Sequence, residues 1–334
     1  MAQKKIRVAL NGFGRIGRAA FKILLEDKKY EVVAINDLTS AESLAYLLKY
    51  DTVYGLYHKK VSSRGHDIIV NNKKYHIISK PKPAQLPWRR LKVDVVLECT
   101  GLFTKNGAAK AHLKAGAKKV IISAPVKGGG NIDTFLLGVN ENKYQKQRII
   151  SNASCTTNCI APVAQIMVNS FGIEKAMMTT IHSYTAGQKL VDAPHQDARR
   201  GRTAGQNIIP TTTGATLATA QVIPELEGLF AGLSIRVPIP VVSLADFTFL
   251  LKKDVTVNKV NKVLIKASKG NLKGILGVTD EAVVSSDFIG DSRSSIVDLS
   301  LTKVVGGNMV KIIAWYDNEW GYAQTLVNMI KEIT

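Results

Sequence analysis

Cysteine is scarce in this chain, with three residues in 334. A small and odd number argues against a framework of paired disulfides. Cys155 and Cys159 form a CxxxC spacing, and no second pair of Cys or His follows at zinc-finger spacing, so the sequence predicts no metal site. Cys99 lies in the apolar run VDVVLECTG, which predicts a buried strand thiol. We expect Cys159 to be a small buried residue without a chemical role.

Long apolar runs and acidic residues are also lacking. No uninterrupted apolar run reaches about 18 residues, so no transmembrane helix is predicted. The short apolar run after the first lysines favours a strand over a signal sequence, and we expect a cytoplasmic protein. Only 26 Asp and Glu oppose 45 Lys and Arg, a net charge of +19. The surplus is spread along the chain, which favours a generally cationic surface over an obligate nucleic acid or membrane partner. Binding of anionic polymers or a cell-surface partner stays open as an additional role.

The order of apolar segments predicts two domains of different kinds. Before residue 150, short β-branched runs alternate with helical patterns, which is typical of a doubly wound parallel sheet in an α/β fold. After it come longer segments such as SIRVPI and ADFTFLL with alternating apolar residues, which favour an α+β domain with a mixed or antiparallel sheet. We expect a Rossmann-type nucleotide domain at 1–152, joined by the C-terminal helix 319–334, and a catalytic domain at 153–318.

The segment IRVALNGFGRIGRAAFKILL combines an apolar strand, a glycine loop and an apolar helix. Gly12, Gly14 and Gly17 have G-x-G-x-x-G spacing, which suits a tight turn, close backbone approach to a pyrophosphate, and close packing of helix and strand. A glycine-rich turn in another α/β domain could carry the same spacing. A second strand, YEVVAIND, follows and ends in Asp37. This order of elements favours dinucleotide binding.

Asp37 lies where an acidic side chain binds the adenosine ribose hydroxyls. Its carboxylate repels a 2′-phosphate, so NAD is favoured over NADP. Thr100, Gly101 and Ser123 fall at the ends of two further strands, VDVVLECTG and KKVIISAP. Ligands bind at this end of a parallel sheet, so the three residues are predicted cofactor neighbours. Each also suits a helix cap or turn, and both roles can hold together.

The stretch SNASCTTNCIAP places Cys155 among hydroxyl side chains at a predicted helix start. Ser154 and Thr156 suit that start, and Pro162 is expected to keep the cysteine in or before the first turn. His182 follows at the predicted end of a strand. A helix N-terminus and an imidazole both favour a thiolate, so a Cys/His pair is one interpretation. The alternative interpretation is a buried cysteine with an unrelated surface histidine.

Five motifs together extend along essentially the whole chain: NGFGRIGR, SNASCTTNC, HSYT, NIIPTTTGA and WYDNEWGY. With these motifs the sequence resembles the phosphorylating, NAD-dependent glyceraldehyde-3-phosphate dehydrogenases. The resemblance implies that Cys155 attacks the aldehyde of glyceraldehyde 3-phosphate to form a hemithioacetal. His182 would lower the thiol pKa, take the hydroxyl proton and stabilise the oxyanion together with the Cys155 N–H. The resulting thioester would be cleaved by inorganic phosphate to give 1,3-bisphosphoglycerate. An erythrose-4-phosphate dehydrogenase would share this chemistry and is the alternative.

The resemblance also implies binding roles for residues that the pattern alone leaves unassigned. Arg15 and Ile16 would contact the cofactor pyrophosphate through their backbone, and Pro81 would lie near the adenine. Asn318 would hold the nicotinamide carboxamide, with Tyr322 beside the ring. The substrate phosphate would bind to Thr185, Arg200 and Arg236, and the attacking phosphate to Ser154, Thr156, Thr213 and Gly214.

Several positions depart from common family patterns. Ala186 and Gly187 stand where Asn and Asp are frequent, and Pro81 stands where Arg is frequent. Ala193 replaces a bulkier residue, which leaves the exclusion of NADP open, and Val241 has no explanation. The family resemblance further implies a homotetramer, with the basic loop 187–208 lying between subunits.

Overall fold

The computed structural model describes residues 4–128 and 130–334. These residues form two compact units. The first comprises the described residues through Phe135, together with Asn142–Ala153 and Ala323–Thr334, and the second comprises Leu136–Glu141 and Ser154–Tyr322. The change of unit between Ala153 and Ser154 lies one residue from the expected boundary, and the grouping of Leu136–Glu141 with the second unit was not anticipated. That each unit corresponds to a functional domain stays a prediction.

The first unit contains a nine-stranded sheet in the order β10-β11-β9-β8-β1-β2-β7-β6-β5, and a separate pair, β3 and β4. Its strands are β1 (Ile6–Asn11), β2 (Tyr30–Asn36), β3 (Tyr50–Asp51), β4 (Gly55–Leu56), β5 (Val61–Arg64), β6 (Asp67–Val70), β7 (Lys73–Ile78), β8 (Val95–Glu98), β9 (Lys119–Ile122), β10 (Asp133–Thr134) and β11 (Ile149–Ser151).

Seven neighbouring strands of this sheet, from β10 to β7, pair in parallel, which confirms the predicted doubly wound sheet. The two edge strands β5 and β6 are antiparallel, a feature that the sequence analysis did not anticipate. From β1 the chain moves outward through β2 and later, in the other direction, through β8. The order therefore reverses beside β1, and ligands bind at the carboxyl ends of strands at such a point.

Helices cover this sheet and complete its core. They are α1 (Arg15–Leu24), α2 (Ala41–Lys49), α3 (Ala111–Lys114) and most of α7 (Trp320–Ile333). One core cluster contains Trp88, Val96 and Val120, all fully buried. Tyr30 donates its hydroxyl to the backbone of Val327 in α7, which ties the last helix to the first residue of β2. The predicted return of the C-terminal segment to this part of the chain agrees with that contact.

The second unit contains a seven-stranded sheet in the order β13-β14-β12-β15-β18-β17-β16. The pairs β12/β14 and β16/β17 are parallel and the remainder antiparallel, so the predicted mixed sheet is confirmed. Alternate residues of β15 are buried, as the alternating sequence pattern predicts. The strands are β12 (Ile173–Ser183), β13 (Ile209–Thr212), β14 (Phe230–Val237), β15 (Ser243–Leu251), β16 (Leu276–Thr279), β17 (Ser295–Val305) and β18 (Met309–Tyr316).

Three helices belong to the second unit: α4 (Cys155–Phe171), α5 (Ala215–Val222) and α6 (Val257–Lys269). Ser154 caps α4 by accepting the Thr157 N–H, and Thr256 caps α6 by accepting the Lys259 N–H. Cys155 is the first residue of α4, as predicted, but Pro162 does not set this position, because the helix continues through that proline to Phe171. The start is set by the Ser154 cap instead.

No helix in residues 4–128 and 130–334 has the length and apolar character needed to cross a membrane. Within the same ranges, no three His, Cys, Asp or Glu side chains group together in a way that could hold a metal ion.

Candidate active site

The glycine loop between β1 and α1 meets the geometric demands of a pyrophosphate site. Gly12 has φ +92°, and a Cβ there would lie 2.9 Å from the Thr100 nitrogen. A Cβ on Gly17 would lie 2.1 Å from the Gly12 carbonyl oxygen, so helix and strand touch at that glycine. A Cβ on Gly14 would meet no atom within 4 Å. The loop is therefore closed on the protein side at Gly12 and Gly17 and open on the solvent side at Gly14.

Helix α1 begins directly after Gly14, without a side-chain cap and without an acidic residue in its first turn. Its N-terminus is accordingly suited to a phosphate group. Arg15 directs its guanidinium to Asp51, at 2.7 Å, and over the Tyr54 ring. This side chain holds α1 to the neighbouring segment, and the backbone of Arg15 and Ile16 stands at the helix start.

Beside the loop lies a cleft of about 300 Å³ at the carboxyl ends of β1, β2, β7 and β8. Asp37 lies at its border, where its carboxylate accepts the N–H groups of Phe13 and Thr39 at 2.8 and 3.0 Å. Of the predicted cofactor residues, the cleft brings together Gly12, Gly14, Asp37, Pro81 and Thr100. It also contains residues that the sequence analysis missed: Asn11, Asn36, Leu38, Lys80, Cys99, Leu102 and Phe103.

The missed residues share a signal that was available in the sequence, because five of the seven end a strand of the sheet or follow it within two residues. Cys99 lies one residue past the end of β8, half-buried at the cleft, so its expected place inside a strand was wrong. Burial raises the pKa of this thiol to about 12, which agrees with an unreactive cysteine. Gly101, at φ +71°, and Ser123, directly after β9, lie in the same unit but outside the residues lining the cleft.

In the second unit, the structure brings Cys155 and His182 together. Cys155 is the first residue of α4 and His182 the second-last residue of β12, and Sγ lies 3.6 Å from Nε2. His182 is buried, so the alternative of an unrelated surface histidine is excluded. Cys159, one turn along α4, is fully buried with its Sγ 3.6 Å from the Ser295 hydroxyl. Burial raises the Cys159 pKa to about 12, and its prediction as a small buried residue is confirmed.

Arg236 completes this group because β12 and β14 run in parallel with His182 opposite Arg236. Its Nη1 lies 2.7 Å from His182 Nδ1 and 3.0 Å from the Ser183 carbonyl oxygen. That carbonyl, which can only accept, also lies 2.7 Å from Nδ1, whereas the guanidinium can only donate, so the two contacts favour opposite tautomers of His182. In the tautomer whose proton lies on Nδ1 and is donated to the Ser183 carbonyl, Nε2 presents its lone pair to the thiol.

Burial and charge set the protonation of this group. Burial, with the Arg236 cation as the next cause, lowers the pKa of His182 to about 3. Burial raises the pKa of Cys155, while Arg236 and the hydroxyl and N–H of Thr156 act in the opposite direction. His182 is thus neutral in this setting. That it lowers the pKa of the Cys155 thiol stays a prediction. The favourable charge beside the sulfur comes from Arg236.

The predicted anion-binding residues lie around the same strands. Arg200 donates to the Thr211 hydroxyl at 2.9 Å and to the Thr212 carbonyl at 3.2 Å, directly before Thr213 and Gly214. Arg236 Nε is buried and has no hydrogen-bond partner within the described residues. Buried donors of this kind are costly unless a ligand accepts from them. Thr185 is exposed just past the end of β12.

Two predicted hydroxyls are already engaged within the protein. Ser154 Oγ accepts from Thr157, and Thr156 Oγ1 lies 3.0 Å from the Tyr316 hydroxyl. Tyr316 also contacts Thr180 Oγ1 at 2.8 Å. The sequence analysis missed Tyr316, although it stands in the WYDNEW motif.

Asn318 has a fixed amide orientation. Its Oδ1 accepts from Ser183 Oγ at 2.9 Å and from Ser243 Oγ at 3.0 Å, so its amide N–H groups point away from these two hydroxyls. This leaves a donor of defined direction, as an amide that recognises a carboxamide oxygen requires. Tyr322 lies buried in the first turn of α7.

Comparison with known proteins shows the family to which the chain belongs. Residues 6–106 match the family described as glyceraldehyde 3-phosphate dehydrogenase, NAD binding domain, and residues 154–318 match its C-terminal domain. The chain is 50% identical to the glyceraldehyde-3-phosphate dehydrogenase of Priestia megaterium over 98% of both chains. It is 50% identical to the Geobacillus stearothermophilus protein of that name over 97% of both chains, and 47% identical to glyceraldehyde-3-phosphate dehydrogenase 1 of Kluyveromyces lactis. The chain therefore belongs to the glyceraldehyde-3-phosphate dehydrogenase family and is an NAD-dependent oxidoreductase.

Proposed function

We propose that this chain oxidises glyceraldehyde 3-phosphate to 1,3-bisphosphoglycerate, with inorganic phosphate as co-substrate. The observation that carries the proposal is the group formed by Cys155, His182 and Arg236. It joins a nucleophile at a helix N-terminus, an imidazole 3.6 Å away and a buried cation with an unpartnered Nε. A phosphorylated aldehyde matches this group, because the thiol can attack its carbonyl carbon and the arginine cation can bind its phosphate.

In the first step, the Cys155 sulfur attacks the aldehyde carbon while its proton passes to His182 Nε2. The product is a hemithioacetal whose oxygen is stabilised by backbone N–H groups at the start of α4. Since Arg236 lies 2.7 Å from Nδ1, a positive His182 is disfavoured until an anion offsets the arginine charge. Binding of the substrate phosphate at Arg236 therefore helps His182 to accept a proton.

When bound, NAD supplies the acceptor for the hydride that leaves the hemithioacetal carbon. The open side of Gly14 and the uncapped start of α1 would hold its pyrophosphate, and Asp37 would face the adenosine ribose. The Asn318 amide, oriented by Ser183 and Ser243, would hold the carboxamide. His182 then returns a proton as inorganic phosphate, held beside Ser154, Thr156, Thr213 and Gly214, cleaves the Cys155 thioester.

Kinetics on the purified protein test this function. NADH formation from glyceraldehyde 3-phosphate should require phosphate or arsenate and vanish in Cys155→Ser. His182→Asn should lower kcat by about 10²- to 10⁴-fold, the usual contribution of a general base, with unchanged NAD binding. Full-rate formation of the free acid without phosphate would contradict the proposal. A higher specificity constant for erythrose 4-phosphate would favour the alternative substrate.

We also infer a homotetramer with contacts on the second unit. Met177 on β12 and Leu233 on β14 are exposed apolar residues of adjacent strands, and the loop carries exposed Leu190, Val191 and Ile208. A second copy of the chain would remove this surface from water. Light scattering should give a tetramer, and Leu190→Glu with Ile208→Glu should yield smaller species. Leu56→Glu, at an exposed leucine of the first unit, should leave the assembly intact.

The three free cysteines support a cytoplasmic location, because a thiol nucleophile must stay reduced. Locating a tagged copy by cell fractionation tests this inference, and recovery outside the cytoplasm would contradict it.

Binding of anionic polymers is a second candidate role, and α6 is the surface that favours it. Lys259, Lys262, Lys266 and Lys269 follow one another at spacings of three and four residues and are all exposed. The residues 257–273 contain no acid, and these lysines form no ion pair with any residue of 4–128 or 130–334. The lysines extend along about 15 Å of helix, a length suited to successive phosphates.

Fluorescence anisotropy with a single-stranded oligonucleotide tests this role. Four neutralised phosphates predict a salt slope of about −3 in a log–log plot, and Lys262→Glu with Lys266→Glu should flatten it markedly. Lys28→Glu with Lys29→Glu gives the same change in net charge away from α6 and should retain most of the slope. Equal slopes for both pairs would contradict a role of α6.

A further inference from the structure

Beneath the cofactor cleft, four neighbouring loops are joined by one chain of buried side-chain hydrogen bonds. Its centre is Glu98, the last residue of β8, which is 1% exposed. One carboxylate oxygen accepts both the N–H and the hydroxyl of Thr100. The other accepts Asn11 Nδ2 and lies 2.8 Å from His112 Nε2. Four hydrogen-bond donors therefore converge on the Glu98 carboxylate, to which no role has been assigned.

The chain continues from Asn11 across the sheet. Asn11 Oδ1 accepts from Asn36 Nδ2 at 2.7 Å. Asn36 in turn donates to the Lys80 carbonyl and accepts the Lys80 N–H, both at 3.0 Å. Asn11 and Asn36 end β1 and β2, and Lys80 follows β7 by two residues. The linked loops are therefore the four whose residues line the cleft.

His112 fixes the far side of Glu98, and its tautomer follows from its partners. The indole N–H of Trp88, which can only donate, lies 2.9 Å from His112 Nδ1. Nδ1 must therefore accept, and the proton lies on Nε2, where it is donated to Glu98. Trp88 and His112 are both fully buried, so neither partner can be replaced by bulk water.

We propose that Glu98, held in place by His112, is a positioning residue that sets the mutual spacing of these four loops and thereby the affinity for the adenosine half of NAD. The proposal rests on the cofactor site proposed above. Glu98 acts through Thr100 and Asn11, which border the cleft, and does not itself line it. Its requirement is for a carboxylate, because only a carboxylate accepts four hydrogen bonds without presenting a donor.

Glu98→Gln tests this requirement with almost no change in shape. Its amide nitrogen must face either the Thr100 N–H or the Asn11 and His112 donors, so at least one buried donor opposes another on either side. If His112 took its other tautomer, with the proton on Nδ1, the Trp88 N–H would lose its acceptor. The loops can relieve the conflict only by moving apart.

Calorimetric titration of the full-length protein with NAD and with ADP-ribose measures the effect without turnover. Glu98→Gln should weaken both ligands by about tenfold and by the same factor, because the loss lies in the half they share. KM for NAD should rise, whereas kcat and the KM for the aldehyde should stay unchanged. Tyr30→Phe, which removes a buried hydrogen bond near the other end of the same sheet, is the control and should bind both ligands normally.

Trp88→Phe provides a second, milder variant in case Glu98→Gln does not fold, and should weaken ADP-ribose about threefold. Normal binding in both folded variants, with only a lower Tm, would overturn the positioning role. Loss of NAD affinity with unchanged ADP-ribose affinity would also overturn it. Failure of the wild-type protein to bind either ligand would instead refute the cofactor site itself.

Discussion

The glycine loop permits a prediction that separates folding from cofactor binding by two substitutions three residues apart. Gly17→Ala places a methyl group 2.1 Å from the Gly12 carbonyl oxygen, where real contacts stay beyond 3.0 Å. Alanine is favoured over glycine in a helix by about 1 kcal/mol, but overpacking costs about 1–3 kcal/mol and more when backbone must move. Because the opposing atom is backbone, the clash outweighs the propensity.

Gly14→Ala is expected to behave in the opposite way. Its Cβ meets no atom within 4 Å, and its φ of −72° is open to alanine. The loss of a favourable N-cap glycine and the reduced freedom of the unfolded chain are each below about 1 kcal/mol and of opposite sign. Stability should stay near that of the wild type, whereas the methyl group blocks close approach of the pyrophosphate.

Thermal unfolding and calorimetric NAD titration measure the two effects separately. Gly17→Ala should lower Tm by about 5 °C or more, from about 2–4 °C per kcal/mol for a domain of this size. Gly14→Ala should keep Tm within about 2 °C and weaken NAD at least about tenfold, or 1.4 kcal/mol. Wild-type NAD affinity in Gly14→Ala would refute the close-approach argument. A wild-type Tm in Gly17→Ala would refute the helix–strand contact.

Three further predictions concern the second unit. Arg236→Gln should raise KM for glyceraldehyde 3-phosphate about 10- to 100-fold through loss of a charged hydrogen bond; an unchanged KM would place the substrate phosphate elsewhere. In the same variant the pH profile of Cys155 alkylation by iodoacetamide should shift to higher pH, because the Arg236 cation lowers the pKa of Cys155; an unchanged profile or a shift to lower pH would contradict this charge effect. Tyr316→Phe should destabilise the protein by about 1–3 kcal/mol in denaturant unfolding and raise KM for phosphate, since Thr156 and Thr180 lose their shared partner. An unchanged stability together with an unchanged KM would show that the Tyr316 hydroxyl holds neither threonine in place.

Local patterns in the sequence were sufficient to predict the helices and strands around the candidate site. The three glycines, the strand before them and the apolar helix after them follow from steric rules that act within a few residues. The same holds for Ser154, whose hydroxyl caps α4 three residues on. Pro162 shows the limit of such rules, since packing of α4 tolerates a proline that propensity alone would exclude.

Contacts between distant segments required the tertiary structure. His182 lies beside Arg236 only because β12 pairs in parallel with β14 in one register, and a shift of one residue would turn either side chain to the other face. In the sequence, Glu98 is only the acid at the end of the apolar run VDVVLE, whereas the sheet order brings Asn11 and His112 into contact with it. The sequence by itself thus determined which residues around the glycine loop and the start of α4 are candidates for the chemistry, through local rules of backbone conformation and helix capping. Which of them meet, and with what charge beside them, was decided by strand register and burial, which depend on the whole fold.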